Sequence, residues 1–485
     1  MKSSVNICFG KLMILIGLLC LVPIGVVVFY PQDLKYSLSF VYSGLFSIGI
    51  GAFLYAHSCK KRGSSKENRP ALGKKSALVV VGTWLWAILI GALPFVFSGQ
   101  LPLIQSLFES TSGWTTTGLS VMDVSQVPHI FLFHRSFMQF CGGLGFVMMM
   151  VMVTHDPHDM MLFQSEGHPD QLMPTLKKTA RTIFKIFLFL LAAGTLAYCM
   201  AGMPLFDSIN HAMASLSTGG FSVKAGSIGE YDSWAIELVT VVLMLFGTTN
   251  FAVLLLLTKG KFKQVWKVSE VKFMSGLIVA SVVVLTVLLR FQMDFSWIES
   301  FRKALLDGIS AISTTGFSSM SYAEWTSAPI CVLLVLMIIG GGMGSTAGGI
   351  KIMRVDLFLK AIKAHIRREV EDVPGLSSIE FTRAQGKVRA TDALIRQIFC
   401  FIGVYILILM AGTFLICVFS NCGVIEALFD FASSLGTVGL SLGMTGPQTI
   451  EPVLLVEMIG MVLGRLEIFV VFVALYSVRK QFIKR

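Results

Sequence analysis

Four short stretches of this chain carry residues whose types and spacing could do chemistry: 115–120 (TTTGLS), 217–222 (STGGFS), 313–318 (STTGFS) and 436–441 (GTVGLS). Their glycines, Gly118, Gly220, Gly316 and Gly439, are 102, 96 and 123 residues apart. Nine residues before each glycine stands a polar residue: Glu109, His211, Asp307 and Asp430. No carboxylate lies inside any turn. What such turns can offer is backbone carbonyl oxygen. Glycine permits dihedrals in which successive C=O groups face one way. Thr and Ser hydroxyls can brace that backbone or add oxygen ligands. A ring of carbonyls replaces a cation's hydration shell without adding full negative charges. Oxygen ligands with few charges suit a weakly hydrated monovalent cation, because Ca²⁺ and Mg²⁺ sites normally need carboxylates.

Such turns need elements to hold them, and the composition says where those elements sit. Of 485 residues, 54% are hydrophobic and 14% charged, and the mean hydropathy is +0.76. A water-soluble chain could not hide so much apolar surface. Apolar runs of membrane-crossing length lie near 11–30, 38–57, 76–98, 130–154, 182–203, 234–258, 273–291, 327–350, 396–420 and 452–477, which predicts ten spans. Shorter half-apolar stretches at 103–117, 205–219, 300–315 and 425–438 each run into one of the four turns. They are too short to cross, so they are expected to be re-entrant, with the helix's negative C-terminal end aimed at the turn. The nine cysteines show no CxxC pair and are expected to be small buried residues, neither disulfides nor metal ligands.

After two leading spans, the chain repeats one unit four times: span, re-entrant stretch, span. Each unit crosses twice, so all four keep one orientation and can surround a single axis. The expected division is 1–75 (two N-terminal spans), 76–160, 161–265 and 266–355 (three units, the third with a broken inner helix), 356–395 (cytoplasmic segment) and 396–485 (fourth unit). With both termini cytoplasmic, the inner segments hold 31 of the 39 Lys and Arg, as the positive-inside rule requires. The net charge of +11 therefore reports orientation and contact with anionic membrane lipid, and no nucleic-acid partner is expected. The inner segment 351–395 is expected to be helical.

The repeated span–turn–span units with T-T-G-type turns resemble the Trk/Ktr/HKT superfamily of potassium transporters over nearly the whole chain, and the two extra N-terminal spans resemble its TrkH-type bacterial subunits. The resemblance implies an all-α polytopic membrane protein with four K⁺-channel-like units around a pseudo-fourfold pore, in a homodimer. It implies K⁺ as the transported ion, with no bound organic cofactor. It implies a selectivity filter of Thr116, Thr117, Gly118, Thr218, Gly219, Gly220, Thr314, Thr315, Gly316, Thr437, Val438 and Gly439. In the superfamily a serine at the first filter glycine goes with Na⁺ transport, so Gly118 favours K⁺. Val438 departs from the hydroxyl pattern, though its carbonyl can still serve. A cytosolic nucleotide-binding regulatory ring of the TrkA type is the partner implied, and the bacterial inner membrane the location.

Two features suggest gating. In 339–351 (IGGGMGSTAGGIK), Gly340, Gly341, Gly342, Gly344, Gly348 and Gly349, with Ser345 and Thr346, interrupt the eighth apolar run. Each glycine costs a helix ~1 kcal/mol relative to alanine, so the helix should break, unless the small residues serve close packing. The resemblance implies an intramembrane loop here that obstructs the pore. The second is Arg465, a cation mid-span. It either pairs with Glu467 or Glu457, contacts a neighbouring repeat, or stands in the pore as a barrier to cations, and the resemblance implies the last. Lys351 and Arg354 read as orientation charges. Parallel repeats with few intramembrane acids argue against an inverted-repeat carrier, although Na⁺/K⁺ or H⁺-coupled symport stays open as the alternative. The chain contains no HExxH or Walker A sequence, so an enzyme is not expected.

Overall fold

The computed structural model describes residues 2–63, 76–145, 176–371 and 379–483. Helices of eight residues or more are numbered in chain order. The leading pair, α1 (Lys2–Leu21) and α2 (Ser37–Gly63), pack tightly on each other and against α3 (Ser76–Phe97). Gly10 and Gly51 make this approach possible, each facing the other's backbone oxygen.

Four units follow. The first is α3, the short α4 (Leu103–Trp114) and α5 (His129–Leu144). The second is α6 (Leu176–Met200), α7 (Leu205–Leu216) and the inner pair α8 (Trp234–Thr248) and α9 (Phe251–Thr258). The third is α10 (Ser269–Gln292), α11 (Trp297–Ser313) and α12 (Ser327–Ile339), followed by α13 (Ile352–Glu371). The fourth is α14 (Asp392–Phe419), α15 (Val424–Gly436), α16 (Glu451–Arg465) and α17 (Phe469–Ile483). Each short helix, α4, α7, α11 and α15, packs against both helices of its own unit and against the inner helix of the unit before it: α7 on α5, α11 on α8, α15 on α12, and α4 on α16. The last of these contacts closes the four units into a ring.

Among the described residues, six helices are long and apolar enough to cross a membrane, and up to eight spans result if each bent pair counts as one. Side chains such as Val279, Leu407 and Phe414 point outward, more than half exposed, as a lipid-facing surface requires. The expected spans at 234–258 and 452–477 are not continuous. They bend by 113° between α8 and α9 and by 102° between α16 and α17. The cause is local. Asn250 Oδ1 accepts the Ala252 amide at 2.7 Å and starts α9 afresh. Glu467 and Ile468 take positive φ after α16. The run at 327–350 is helical only to Ile339. The run at 130–154 is helical to Leu144, and its remainder, 146–154, lies outside the described residues.

Two further expectations need correction. The segment 351–395 is not wholly helical. After α13 it forms an antiparallel hairpin, β1 (Glu380–Arg383) and β2 (Gly386–Arg389), with Phe381 opposite Val388. Phe381 is buried, and the Thr382 amide donates to the Ser269 hydroxyl at 2.9 Å, so packing on α10 decides the strand. None of the nine cysteines is in a disulfide, but only Cys8, Cys20 and Cys141 are buried; Cys59, Cys331 and Cys400 are exposed. A bilayer rewards such residues for facing lipid, which removes the pressure to bury them.

Candidate functional site

Each short helix stops at one of the four turns for the same reason. Thr116, Thr218, Thr314 and Thr437 adopt left-handed backbone, with φ of 57°, 51°, 54° and 49°. A β-branched residue resists that region, so the conformation is imposed by what surrounds it. The Thr amides bond back to the carbonyls of Gly113, Ser215, Ala311 and Ser434 at 3.1–3.2 Å. The next residues, Thr117, Gly219, Thr315 and Val438, donate to the carbonyls of Ser112, Ala214, Ser310 and Ser433 at 2.8–2.9 Å. The glycines that follow again have positive φ, from 72° to 100°. A sign of φ that alternates residue by residue turns successive carbonyls to one side, where an ordinary strand would alternate them.

The four turns meet. A Cβ on Gly118 would collide with the carbonyl of Gly219, one on Gly220 with that of Thr315, one on Gly316 with that of Val438, and one on Gly439 with that of Thr117. Each glycine thus abuts the carbonyl preceding the glycine of the next turn, and the cycle closes. The side chains of the middle residues point away from this ring. Val438 packs with Phe429 and Leu440 in an apolar cluster. Thr117 and Thr315 hydroxyls lie 2.8 and 2.7 Å from those of Thr115 and Ser313. The middle position in the second turn is glycine because Gln139 of α5 fills the space. Its Nε2 donates to the Gly219 carbonyl and its Oε1 accepts the Phe221 amide at 3.0 Å.

The in-phase polar residues are fully buried and tie down the segment after each glycine. Glu109 accepts the Val121 amide at 3.1 Å, the Ser120 hydroxyl, and Arg135 of α5 at 2.5 Å. His211 Nε2 lies 2.9 Å from the Ser222 hydroxyl. Asp307 accepts the Ser319 amide at 2.9 Å and the Tyr322 hydroxyl at 2.8 Å. Asp430 accepts the Ser441 hydroxyl at 2.6 Å and the Leu442 amide at 2.9 Å.

The glycine-rich segment lies against the other end of the turns. Gly340 ends α12 with φ 71°, and Gly344 and Gly349 also have positive φ. The Gly341 amide donates to the Gly348 carbonyl at 3.3 Å, folding the segment on itself. The Gly348 amide donates to the Thr314 hydroxyl at 2.7 Å. A Cβ on Gly348 would strike the Thr437 hydroxyl, and one on Gly341 the Thr248 hydroxyl. The Gly342 amide donates to the Thr248 carbonyl at 3.1 Å, and the Ser345 hydroxyl to the Gly342 carbonyl at 2.6 Å. The Thr346 hydroxyl reaches the Gly247 carbonyl at 2.9 Å and the Thr218 hydroxyl at 3.0 Å. Arg465, at the end of α16, donates to the carbonyls of Thr346 at 2.7 Å and of Gly142 on α5. Its guanidinium stands 5.6 Å from the Trp84 ring centre. Beside it remains a cavity of about 30 Å³, lined by Gly145, Ser345, Lys351 and Glu467 among others, room for about one water. Lys351 is nearly buried and donates to the Ala347 carbonyl, and Arg354 pairs with Glu467, so both pack into the cluster around the glycine-rich segment.

Several residues here were not singled out from the sequence. Gln139 and Arg135 sit inside an apolar run, which was the available signal. Asn250 precedes FAVLLLL, a helix-start pattern, and its side chain donates to the Met343 carbonyl. Glu270 accepts the Met343 amide from α10, a contact no local pattern announces.

A family model described as TrkH, cation transport protein, matches residues 45–312 and 295–481. The Trk system potassium uptake protein TrkG of Escherichia coli (strain K12) is 31% identical, covering 96% of each chain. The Trk system potassium uptake protein TrkH of Salmonella typhimurium is 28% identical over 88% of this chain and 89% of its own. The crystal structure of the potassium transporter TrkH from Vibrio parahaemolyticus superposes with a TM-score of 0.84 at 26% identity, covering 98% of both chains.

Proposed function

The chain belongs to the TrkH family of cation transport proteins, and from that premise we propose that it takes up K⁺ across a bacterial inner membrane. It is a transporter and not an enzyme. The observation that carries the reading is the closed cycle of four glycine–carbonyl contacts. K⁺ passes the ring of carbonyls at Thr116 to Gly118, Thr218 to Gly220, Thr314 to Gly316 and Thr437 to Gly439. The ring gives up four sets of neutral oxygens for the hydration shell, and the packed glycines keep its diameter fixed. The loop at 340–349 and Arg465 form the gate on the inner side. In the arrangement described the gate is closed, because Thr346 and Gly348 are bonded to the turns themselves. Both termini face the cytoplasm, two copies associate as a homodimer in membrane lipid, and a cytosolic nucleotide-binding ring of the TrkA type opens the gate from the basic inner face.

The test is cation flux into liposomes holding the purified chain, comparing K⁺, Rb⁺, Na⁺ and Li⁺ with and without a pH gradient. Passive flux that favours K⁺ and Rb⁺ is the expected result. Equal passage of Na⁺ and K⁺ overturns the carbonyl filter. Flux that requires the pH gradient replaces the channel-like reading with coupled transport.

A further inference from the structure

Glu457 of α16 is completely buried. Its Oε2 has no hydrogen-bond partner among the described residues. Its Oε1 lies 2.9 Å from the Thr445 hydroxyl, and that same hydroxyl lies 3.1 Å from Oδ2 of Asp430. A hydroxyl has one hydrogen to give. It can serve one of the two carboxylates, so the second contact is a hydrogen bond only if the other carboxyl brings a hydrogen of its own. Asp430 is already furnished as an anion. It accepts the Ser441 hydroxyl, the Leu442 amide and the Thr445 amide, the last at 3.2 Å. Glu457 has only Thr445. Desolvating a charge with one hydrogen bond and an orphaned oxygen is the costlier choice.

The first unit shows what the site lacks. Glu109, nine residues before Gly118, is neutralised by Arg135, which follows that glycine by 17 residues. In the fourth unit Asp430 holds the place of Glu109, and Glu457, 18 residues after Gly439, stands close to the place of Arg135. A cation is replaced by an acid. The helices packed on α16 do not restore the balance. On α15 the titratable groups are Asp430 and, near its start, Glu426; on α4 Glu109 is committed to Arg135; on α14 Tyr405 is buried, Cys400 and Cys417 lie along the helix, and Asp392 and Arg396 stand in its first turns.

We propose that Glu457 is a proton-binding site: its carboxyl holds a proton taken from water and donates it to the Thr445 hydroxyl, which donates to Asp430. Asp430 in turn holds the segment after Gly439 through Ser441 and Leu442. Loss of the proton puts two carboxylates on one hydroxyl and loosens the fourth turn. The link to conduction rests on the carbonyl-ring reading above; the proton itself does not.

Infrared difference spectra of the purified chain in liposomes test the site directly. The wild type should show a protonated-carboxyl C=O band at neutral pH that Glu457→Gln lacks, with the mutant otherwise folded and of similar melting temperature. Identical bands in the two proteins overturn the site. Rb⁺ flux against outer pH tests its consequence. Wild-type flux should fall several-fold toward alkaline pH while Glu457→Gln, which keeps the neutral form, stays flat. Matching pH profiles overturn the hold of Glu457 on conduction. A chain with the loop at 340–349 shortened that still passes no cation at any pH refutes the transport reading, and the infrared band still decides the proton.

Discussion

Arg465 donates a hydrogen bond to the carbonyl of Thr346 at 2.7 Å while the Thr346 hydroxyl bonds the hydroxyl of Thr218 at 3.0 Å. A cation on the last inner helix is thereby joined, through one loop residue, to the turn of the second unit. Arg465 and Thr346, 119 residues apart in sequence, belong to one bonded assembly with that turn, so its parts should respond to mutation together.

Replacing Arg465 with Ala should raise flux. A fixed positive charge about 8 Å from a permeating cation, at an effective dielectric near 20, opposes it by about 2 kcal/mol, which is on the order of 30-fold in rate. Rb⁺ uptake by liposomes reads this directly. Arg465→Lys keeps the charge but not the forked geometry, and should fall between. Unchanged uptake in Arg465→Ala refutes the barrier.

Thr346→Val removes the hydroxyl contacts to Gly247 and Thr218 at nearly constant volume. Each net hydrogen bond is worth about 1 kcal/mol, so the closed loop should lose about 2 kcal/mol and flux should rise by on the order of 30-fold. Shortening 340–349 should do the same more strongly. If both variants fold and neither conducts better than wild type, the loop is packing and not a gate.

Gly118→Ser should weaken discrimination against Na⁺. The position has φ 95° and no room on the side of the Gly219 carbonyl. A side chain there carries backbone strain of ~1–3 kcal/mol and must displace an oxygen of the neighbouring turn. Gly316→Ala, against the Val438 carbonyl, should act alike. Relative Na⁺ and K⁺ permeabilities measure both. Unaltered ratios would mean that the ring does not set selectivity.

The four turns and the short helices before them were legible because both carry local signals: a half-length apolar run, then Thr and Gly in fixed phase. The helix bounds found at Leu103–Trp114 and Leu205–Leu216 lie within a few residues of 103–117 and 205–219. The break in the eighth apolar run was legible for the same reason, since glycine density is local. The bends at Asn250 and Glu467 were not. No glycine or proline stands at either point, and the continuous apolar runs outweighed one polar residue. Those bends follow from contacts made at a distance, with the Phe251 amide bonded to the Gly344 carbonyl and Glu467 paired to Arg354. The hairpin at 380–389 escaped notice because its strands are four residues long, shorter than a period-two pattern needs to stand out.

Two roles are open to a carboxylate at Asp307: concentrating cations at the pore mouth, or bracing the third turn. As a cation-concentrating charge at the pore mouth, its loss would raise the KM for Rb⁺ and leave stability alone. Its observed contacts say otherwise. It is completely buried and accepts the Ser319 amide, the Ser319 hydroxyl and the Tyr322 hydroxyl. Asp307→Asn replaces one acceptor oxygen with an amide that confronts a donor, which costs about 1–3 kcal/mol for the unsatisfied group. The expected outcome is a lower melting temperature in detergent with the KM for Rb⁺ little changed. A raised KM at unaltered melting temperature would return Asp307 to the ion path.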